Sequence, residues 1–456
     1  MLADPSKLVT IMPARSAALS TQRDQALAAV FRKLLLYGFV LYLFAFQAPD
    51  LLLGVSAEAD SSSAAGNLFN QLIVPAMLFA VCILVHAYRI SARRLLYALV
   101  PMGPILLVIM LSTVWSDYPE LTIRRASREL IEVTALAMLA ACFWNARVML
   151  AVLFRAFLIV GCLDLSSSAI FPNSLTDLGF AGIHGHKNLA GQFFVVALPV
   201  YLLGTLDKEI SGNRLLGLLS LISGVAMLAA TQSKTSVGAI VFGFSTLLLA
   251  RALSRNPTLR ISLLLFLLLA LLCAVAVIIS WGPSELLEML IGDPTLTGRD
   301  QIWRYAINKF DGSPVLGVGY GAIWQVGLLI QLALREMGLF FVFNEAHNGY
   351  LEIAAQLGIV GIICLLIFLI TTLLNGFSYW ATIEKNTFCG AGAFTIYIFW
   401  ALVLSNITES LYFQPGIGSS GILIFLGAFV ANRNQRLMII STANAGPSKS
   451  GVGCLI

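Results

Sequence analysis

A histidine flanked by an acid and an asparagine at the mouth of an apolar run can hold an anion and move a proton. Asn344-Glu345-Ala346-His347-Asn348-Gly349-Tyr350 forms that constellation, immediately before the apolar run at 350–374. The unpaired N–H groups of a helix N-terminus, together with its dipole, favour a bound phosphate and disfavour a protonated imidazole. Both effects suit a basic, neutral His347 beside a phosphate. Glu345, two residues away, stabilises the imidazolium instead, so the residues alone leave the protonation state open. Steps of four, three, four and three from His347 reach Leu351, Ala354, Gly358 and Gly361, which a continuous helix would align as one stripe that lets a neighbouring helix approach closely. The competing reading is a histidine that caps the helix or bonds a loop carbonyl.

Cations that would suit a phosphate recur elsewhere in short, glycine- and asparagine-punctuated stretches. One is Gly182-Ile183-His184-Gly185-His186-Lys187-Asn188; another is Thr231-Gln232-Ser233-Lys234-Thr235. A third, Thr297-Gly298-Arg299-Asp300-Gln301-Ile302-Trp303-Arg304, looks like a capped helix start, with Trp303 suited to the membrane interface. It leads into Ser313-Pro314-Val315-Leu316-Gly317-Val318-Gly319-Tyr320-Gly321, whose glycines allow tight turns and close approach by a substrate. The alternative for each cation is contact with lipid headgroups, which is cheap at the ends of membrane spans. His184 and His186 are only one residue apart and have no carboxylate or cysteine partner in sequence, so acceptor binding or loop structure is a better expectation than a metal pair.

The elements that must position these groups are membrane helices. Hydrophobic residues make up 59% of the 456-residue chain and charged residues 11%, far outside the soluble range. Apolar runs long enough to cross a bilayer fall near 34–53, 69–88, 95–115, 130–144, 148–170, 188–206, 215–231, 236–250, 261–281, 350–374, 388–405 and 417–431. The expected fold is therefore an all-α polytopic membrane protein of about 12 transmembrane helices, with one long loop between the ninth and tenth. The organisation reads as an N-terminal segment 1–33, a membrane domain 34–431 with the loop 282–349, and a C-terminal tail 432–456. Eighteen of the 28 lysines and arginines fall on the side of the two termini and nine on the other, with Arg155 inside a span. That bias puts both termini in the cytoplasm and the long loop outside. The segment 1–33 has no signal-peptide core, so the first span is expected to be retained. Cys82, Cys142, Cys162, Cys273, Cys364 and Cys389 lie within spans and Cys454 in the tail, without zinc-type spacing, and read as packing residues. No Walker loop or dinucleotide fingerprint occurs, which gives no reason to expect a nucleotide, and nothing points to nucleic acid.

These residues resemble the O-antigen ligase and polymerase superfamily, bacterial membrane enzymes that handle lipid-linked glycans outside the cytoplasm. His347-Asn348, then Gly358 and Gly361-Ile362, is similar to the signature that closes the family's long periplasmic loop. Gly298-Arg299 with Ile302-Trp303, and Pro314 with Gly317 and Gly319, is similar to the rest of that loop. His186-Lys187-Asn188, the run Thr231 to Lys234, and Trp115-Ser116 with Pro119 fall where the family has comparable short segments, so the likeness covers about residues 110 to 430.

The resemblance implies glycan transfer from undecaprenyl diphosphate to a sugar hydroxyl by a metal-independent, inverting glycosyltransferase of the inner membrane without cofactors. It implies Arg299 as the bidentate diphosphate clamp, with Lys234, Lys187 and Arg125 as further diphosphate ligands and Arg124 and Arg128 beside them. Lys234 stands where the family often has arginine, and it supplies charge without the fork. His347 would be the general base, or would position the acceptor; His186, Asn348 and Glu345 would bind the acceptor or shape the loop. The implied partners are the lipid-linked glycan, an acceptor glycan or lipid A core, membrane lipids and other polysaccharide assembly proteins. Polymerisation of exopolysaccharide or O-antigen repeats is the first expectation, ligation to lipid A core the second, and a transporter, which would bind at the membrane midplane through broken helices, the third.

Overall fold

The computed structural model describes residues 22–44, 68–171, 174–176, 179–255, 299–324, 326, 345–384, 390–414 and 417–444. It is almost wholly helical; the only sheet among these residues is a two-stranded hairpin pairing Leu175–Thr176 with Gly179–Phe180. Helices lie where the apolar runs predict them: α1 Gln22–Phe44, α2 Leu68–Ala87, α3 Ala92–Leu99, α4 Gly103–Leu111, α5 Pro119–Ala141 and α6 Ala146–Ile170. They continue with α7 Lys187–Leu206, α8 Lys208–Ser211, α9 Arg214–Thr231, α10 Lys234–Arg255, α11 Arg299–Gly312, α12 Gly349–Thr382, α13 Ala391–Ser405 and α14 Gly418–Asn444. Among the described residues six helices are long and apolar enough to cross a membrane, or up to seven if one bent pair is a single span. This is a multi-pass membrane protein. The run at 261–281, most of the loop 282–349, and Cys273, Cys389 and Cys454 lie outside the described residues.

Short polar side chains start the helices by accepting their first free N–H groups. Asn145 accepts from Arg147 and Val148 at the head of α6, and Asn213 accepts from Leu215 at the head of α9. α7 is the central helix: Phe193, Val195, Val196, Ala197 and Val200 are completely buried. It packs against α9 and α10, while α13 packs against α10 and α12, and α14 against α5. The outward faces are apolar as well. Ile363, Ile367, Ile370 and Leu374 make an exposed row on α12, and Leu215, Leu219 and Ile222 another on α9, as lipid contact requires. Cys82, Cys142, Cys162 and Cys364 are free thiols.

Three expectations need correction. The run at 95–115 is not one straight helix: α3 and the stretch Gly103–Val114 meet at 76°. Pro101 and Pro104, which have no N–H to give, occupy that corner. The short run at 130–144 is the second half of α5, whose first half carries Arg124, Arg125 and Arg128 in a helix rather than in a loop. The stripe from His347 to Gly361 is not continuous either. His347 lies outside α12 with φ of 49°, Asn348 is the cap, and Gly358 interrupts the helix at φ 63° and ψ −161°.

The interruption at Gly358 explains the glycine- and proline-rich stretch upstream. A break in a helix frees peptide groups that lipid cannot satisfy. Here the segment from Pro314 to Gly319 satisfies them. Ile359 N–H donates to the Pro314 carbonyl at 2.9 Å and Val360 N–H to that of Val315 at 3.2 Å; Val318 and Gly319 N–H donate to Ala355 and Gln356 at 3.1 and 2.9 Å. A Cβ on Gly358 would collide with the Val315 carbonyl, so the close approach read from these glycines is made by the chain itself. Trp115 Nε1 donates to the Leu316 carbonyl at 3.0 Å and Asp117 N–H to that of Val318 at 3.1 Å, which joins a third motif to the same place.

Candidate functional site

The turn between α13 and α14 gathers the polar groups of four elements. Asn406 Oδ1 accepts from the Leu411 and Tyr412 N–H groups at 3.0 and 3.1 Å and so folds 406–412 back on itself. Gly349, the first residue of α12, donates its N–H to the carbonyls of Asn406 and Glu409 at 2.8 and 3.0 Å. A Cβ at Gly349 would collide with Asn406 Oδ1, which accounts for the glycine after His347-Asn348. Thr408 donates to Thr235 Oγ1 at 3.1 Å, which brings the head of α10 to the same turn.

Glu409 is the hub of the cluster, with its side chain 5% exposed. Its Oε1 accepts from Asn188 Nδ2 at 2.7 Å and from Arg299 Nη2 at 3.5 Å. Its Oε2 stands 3.5 Å from His347 Nδ1, and Glu345 Oε1 stands 2.9 Å from the same nitrogen. Neither carboxylate meets Nδ1 in hydrogen-bond alignment, so these contacts are ion pairs. Burial opposes the charge on His347, but the two glutamates outweigh it and raise its pKa from 6.5 to about 9. The two carboxylates thus favour the imidazolium, and tip the balance that its neighbours in sequence left open.

The turn that presents His347 is held from below. Buried Glu352, in the first turn of α12, accepts from the Ala346 N–H at 2.6 Å, from Trp324 Nε1 at 2.8 and 3.0 Å, and from the Ser410 hydroxyl at 3.4 Å, and Gln356 donates to it as well. Trp303 of α11 gives its indole N–H to the Ala346 carbonyl at 3.0 Å, a contact inside the protein rather than at the lipid interface. That bond sets α11, and hence Arg299, against the His347 turn.

Arg299, His347, Glu345 and His186 come together; His186 lies within electrostatic reach of Glu409, His347 and Glu345. Asn348 is beside them, but its Oδ1 is used as the cap of α12, accepting from Tyr350 and Leu351 N–H at 3.1 and 3.0 Å. Lys187 and Lys234 open α7 and α10 on the same rim, Lys187 next to Asn188 and Lys234 exposed next to Thr235. Arg125 is placed elsewhere: it donates to the carbonyls of Gly321 and Trp324 and ties α5 to the segment after α11. Arg128 donates to the Tyr42 hydroxyl at 3.0 Å. Glu409 and Asn188 were not expected as functional residues. An acid in an otherwise apolar stretch, in Ser405-Asn406-Ile407-Thr408-Glu409, was the signal for the first, because lipid-embedded chains rarely keep a carboxylate without use.

The ligand atoms of Glu345, His347 and Glu409 lie within 4.8 Å of one another, a donor set that could hold a cation. Arg299 beside Glu409 also brings positive charge to the same place. The arrangement suits an anion with several oxygens, recognised by guanidinium and imidazolium together.

Residues 218–366, from α9 into α12 beyond its break, match the family model described as O-Antigen ligase. This match over part of the chain supports the likeness to the O-antigen ligase/polymerase superfamily. It is similar to the exopolysaccharide production protein ExoQ of Rhizobium meliloti (strain 1021), with 27% identity over 276 residues, 56% of this chain and 60% of that protein. Arg299, Lys234 and His347 fall within the family match, whereas Asn188 and Glu409 lie outside it.

Proposed function

We propose that this protein transfers glycan from undecaprenyl diphosphate to a sugar hydroxyl at the outer face of the bacterial inner membrane, polymerising exopolysaccharide or O-antigen repeat units. The observation that carries this reading is the convergence of Arg299, His347 and Asn188, from three separate motifs, on buried Glu409. Arg299 clamps the diphosphate with its fork, and Lys187 and Lys234 add charge on the rim. His347, as imidazolium, donates to the acceptor oxygen or the diphosphate. Glu345, 2.9 Å from it and the more exposed of the two glutamates, takes the hydroxyl proton that a neutral His347 was expected to take. The acceptor attacks opposite the leaving diphosphate, so the anomeric centre inverts. The leaving group supplies the energy, and neither metal nor nucleotide is required.

The charge bias of the loops supports twelve spans with both termini in the cytoplasm. Reporter fusions near Asp311 are expected to report the outer compartment and those near Arg93 and Arg255 the cytoplasm; a cytoplasmic signal at Asp311 would overturn the site assignment. The name of the Rhizobium relative, an exopolysaccharide production protein, favours an exopolysaccharide product over ligation to lipid A core. Deletion of the gene tests the choice: loss of a polymerase leaves single repeat units, whereas loss of a ligase leaves long chains on the lipid carrier and bare core. A transporter is favoured by the broken α12, but the peptide groups freed at Gly358 are bonded to Pro314–Gly319 rather than left for an ion.

A further inference from the structure

His186 stands exposed on the rim of the site, immediately before α7. Two bonds join it to the hub: its Nδ1 accepts the Asn188 N–H at 3.3 Å, and Asn188 Nδ2 donates to Glu409 Oε1 at 2.7 Å. The charges of Glu409, His347, Glu345 and Lys187 all reach it.

The first of these bonds fixes the proton of the ring. His186 is the N-cap of α7, a role usually filled by serine, threonine, asparagine or aspartate. A cap accepts, and an Nδ1 that accepts carries no hydrogen, so the one N–H of the neutral ring is at Nε2. That nitrogen has no hydrogen-bond partner among the described residues. Partial withdrawal from water lowers the pKa of His186 from 6.5; His347 and Lys187 act with it, and Glu409 and Glu345 against it.

The turn that presents the ring is anchored on its other side. Asp164, buried completely within α6, accepts the Ile183 N–H at 3.0 Å through Oδ1, and its Oδ2 lies 3.0 Å from His184 Nε2. The His184 ring stacks on Phe193 of α7 with centroids 5.5 Å apart. Residues 183 and 184 are therefore tied to two helices, and His186 follows on a fixed turn.

An Nε2–H can give a hydrogen bond but cannot take a proton. It suits an oxygen that has only lone pairs to offer. The hydroxyl of an acceptor has a proton of its own to give, whereas the oxygens of a diphosphate have none and need donors. Lys187 and the start of α7 beside the ring favour an anion too. We propose that His186 is a diphosphate-binding residue, whose Nε2–H holds an oxygen of the lipid diphosphate. The inference rests on the transfer reading above and moves His186 from the acceptor, or from mere loop structure, to the leaving group.

Capping and donation need different atoms, so they can be separated. Thermal stabilisation of the full-length protein in nanodiscs is titrated with undecaprenyl diphosphate for wild type, His186→Ser and His186→Gln. Serine caps a helix well and has no donor at the reach of Nε2; glutamine caps poorly but carries an N–H at about that reach. Without ligand, His186→Ser is expected to melt as wild type does, while its half-saturation rises about tenfold, the worth of one hydrogen bond to a charged group. His186→Gln is expected to recover most of that affinity at a lower melting temperature. His186→Thr, a cap of the same kind, serves if the serine variant does not fold. Wild-type half-saturation in the serine variant would leave His186 as a cap alone and overturn the inference. Equal weakening in the serine and glutamine variants would overturn it too, since the donor would not be what matters. A wild type that gives no response to the diphosphate would overturn the transfer reading as well.

Discussion

Glu352 and Glu409 are both nearly buried, at 1% and 4% exposed, and both touch the turn that carries His347. Their surroundings differ in kind. Glu352 is ringed by neutral donors, the Ala346 N–H, the Trp324 indole, the Ser410 hydroxyl and the Gln356 amide, all near one end of α12. Glu409 is ringed by Arg299, His347 and Asn188, which arrive on three different elements. A carboxylate bonded to fixed neutral donors builds a structure, because losing any donor leaves a buried group unsatisfied. A carboxylate bonded to cations can exchange them for the oxygens of a substrate, because those cations have an equally good partner to go to. The first glutamate holds the histidine turn in place; on the proposed reading, the second holds the site's positive charge ready for a diphosphate.

The contrast breaks most sharply at Arg299. Arg299→Lys keeps the charge but loses the fork, and is expected to abolish most glycan product while leaving protein levels unchanged; Lys309→Ala, in the same helix, is expected to have little effect. Equal, mild losses in both would return Arg299 to the lipid-headgroup class. Glu409→Gln should come next, with product formation strongly reduced and near-normal thermal stability. Glu352→Leu is expected to do the reverse in kind: it strands the Ala346 N–H and the Trp324 indole, each worth about 1–3 kcal/mol, so the protein should melt early or fail to accumulate. If Glu409→Gln proved the less stable of the two variants, the division of roles would be wrong.

A smaller effect sharpens the electrostatic half of the comparison. The pKa of His347 is raised, so its charged form persists up to pH about 9 and is lost above it. Transfer that uses the imidazolium is expected to hold through neutral pH and fall as pH rises through about 9. In Glu345→Gln, besides the larger loss expected from removing the proposed base, the fall of the residual rate should move to lower pH, since one of the two carboxylates sustaining the charge is gone. A rate that instead climbs with pH towards 9 would restore His347 as a neutral base. The smallest expected effect is none at all: chelation with EDTA should leave transfer intact, and loss of activity restored by a divalent cation would assign Glu345, His347 and Glu409 to a metal.

Much of this was legible in the residues, in uneven measure. Helix positions follow from apolar runs because lipid imposes length and composition on any span. The motif around His347 was legible because a histidine and its neighbours fall within a few residues of one helix start. Its protonation was not, since Glu409 comes from sixty residues away and only folding sets it 3.5 Å from Nδ1. The break in α12 was hidden for a similar reason. Gly358 continues an apolar helical pattern, and only the backbone of Pro314–Gly319, brought alongside, makes a break tolerable in an apolar setting. Arg125 looked like a phosphate ligand by charge and side, but the carbonyls of Gly321 and Trp324 lie within its reach and accept from its Nη1.

The most direct test follows a defined lipid-linked glycan incubated with the purified full-length protein and with His347→Ala. Wild type is predicted to release undecaprenyl diphosphate as glycan bonds form. His347→Ala is predicted to bind the lipid-linked donor as wild type does, because Arg299, Lys187 and Lys234 are untouched, while its rate of release falls by about 10²–10⁴-fold. Normal release by the variant, or glycan carried across the membrane by wild type with its bonds unchanged, would contradict the assignment of the Glu409–His347–Arg299 cluster as the site of transfer.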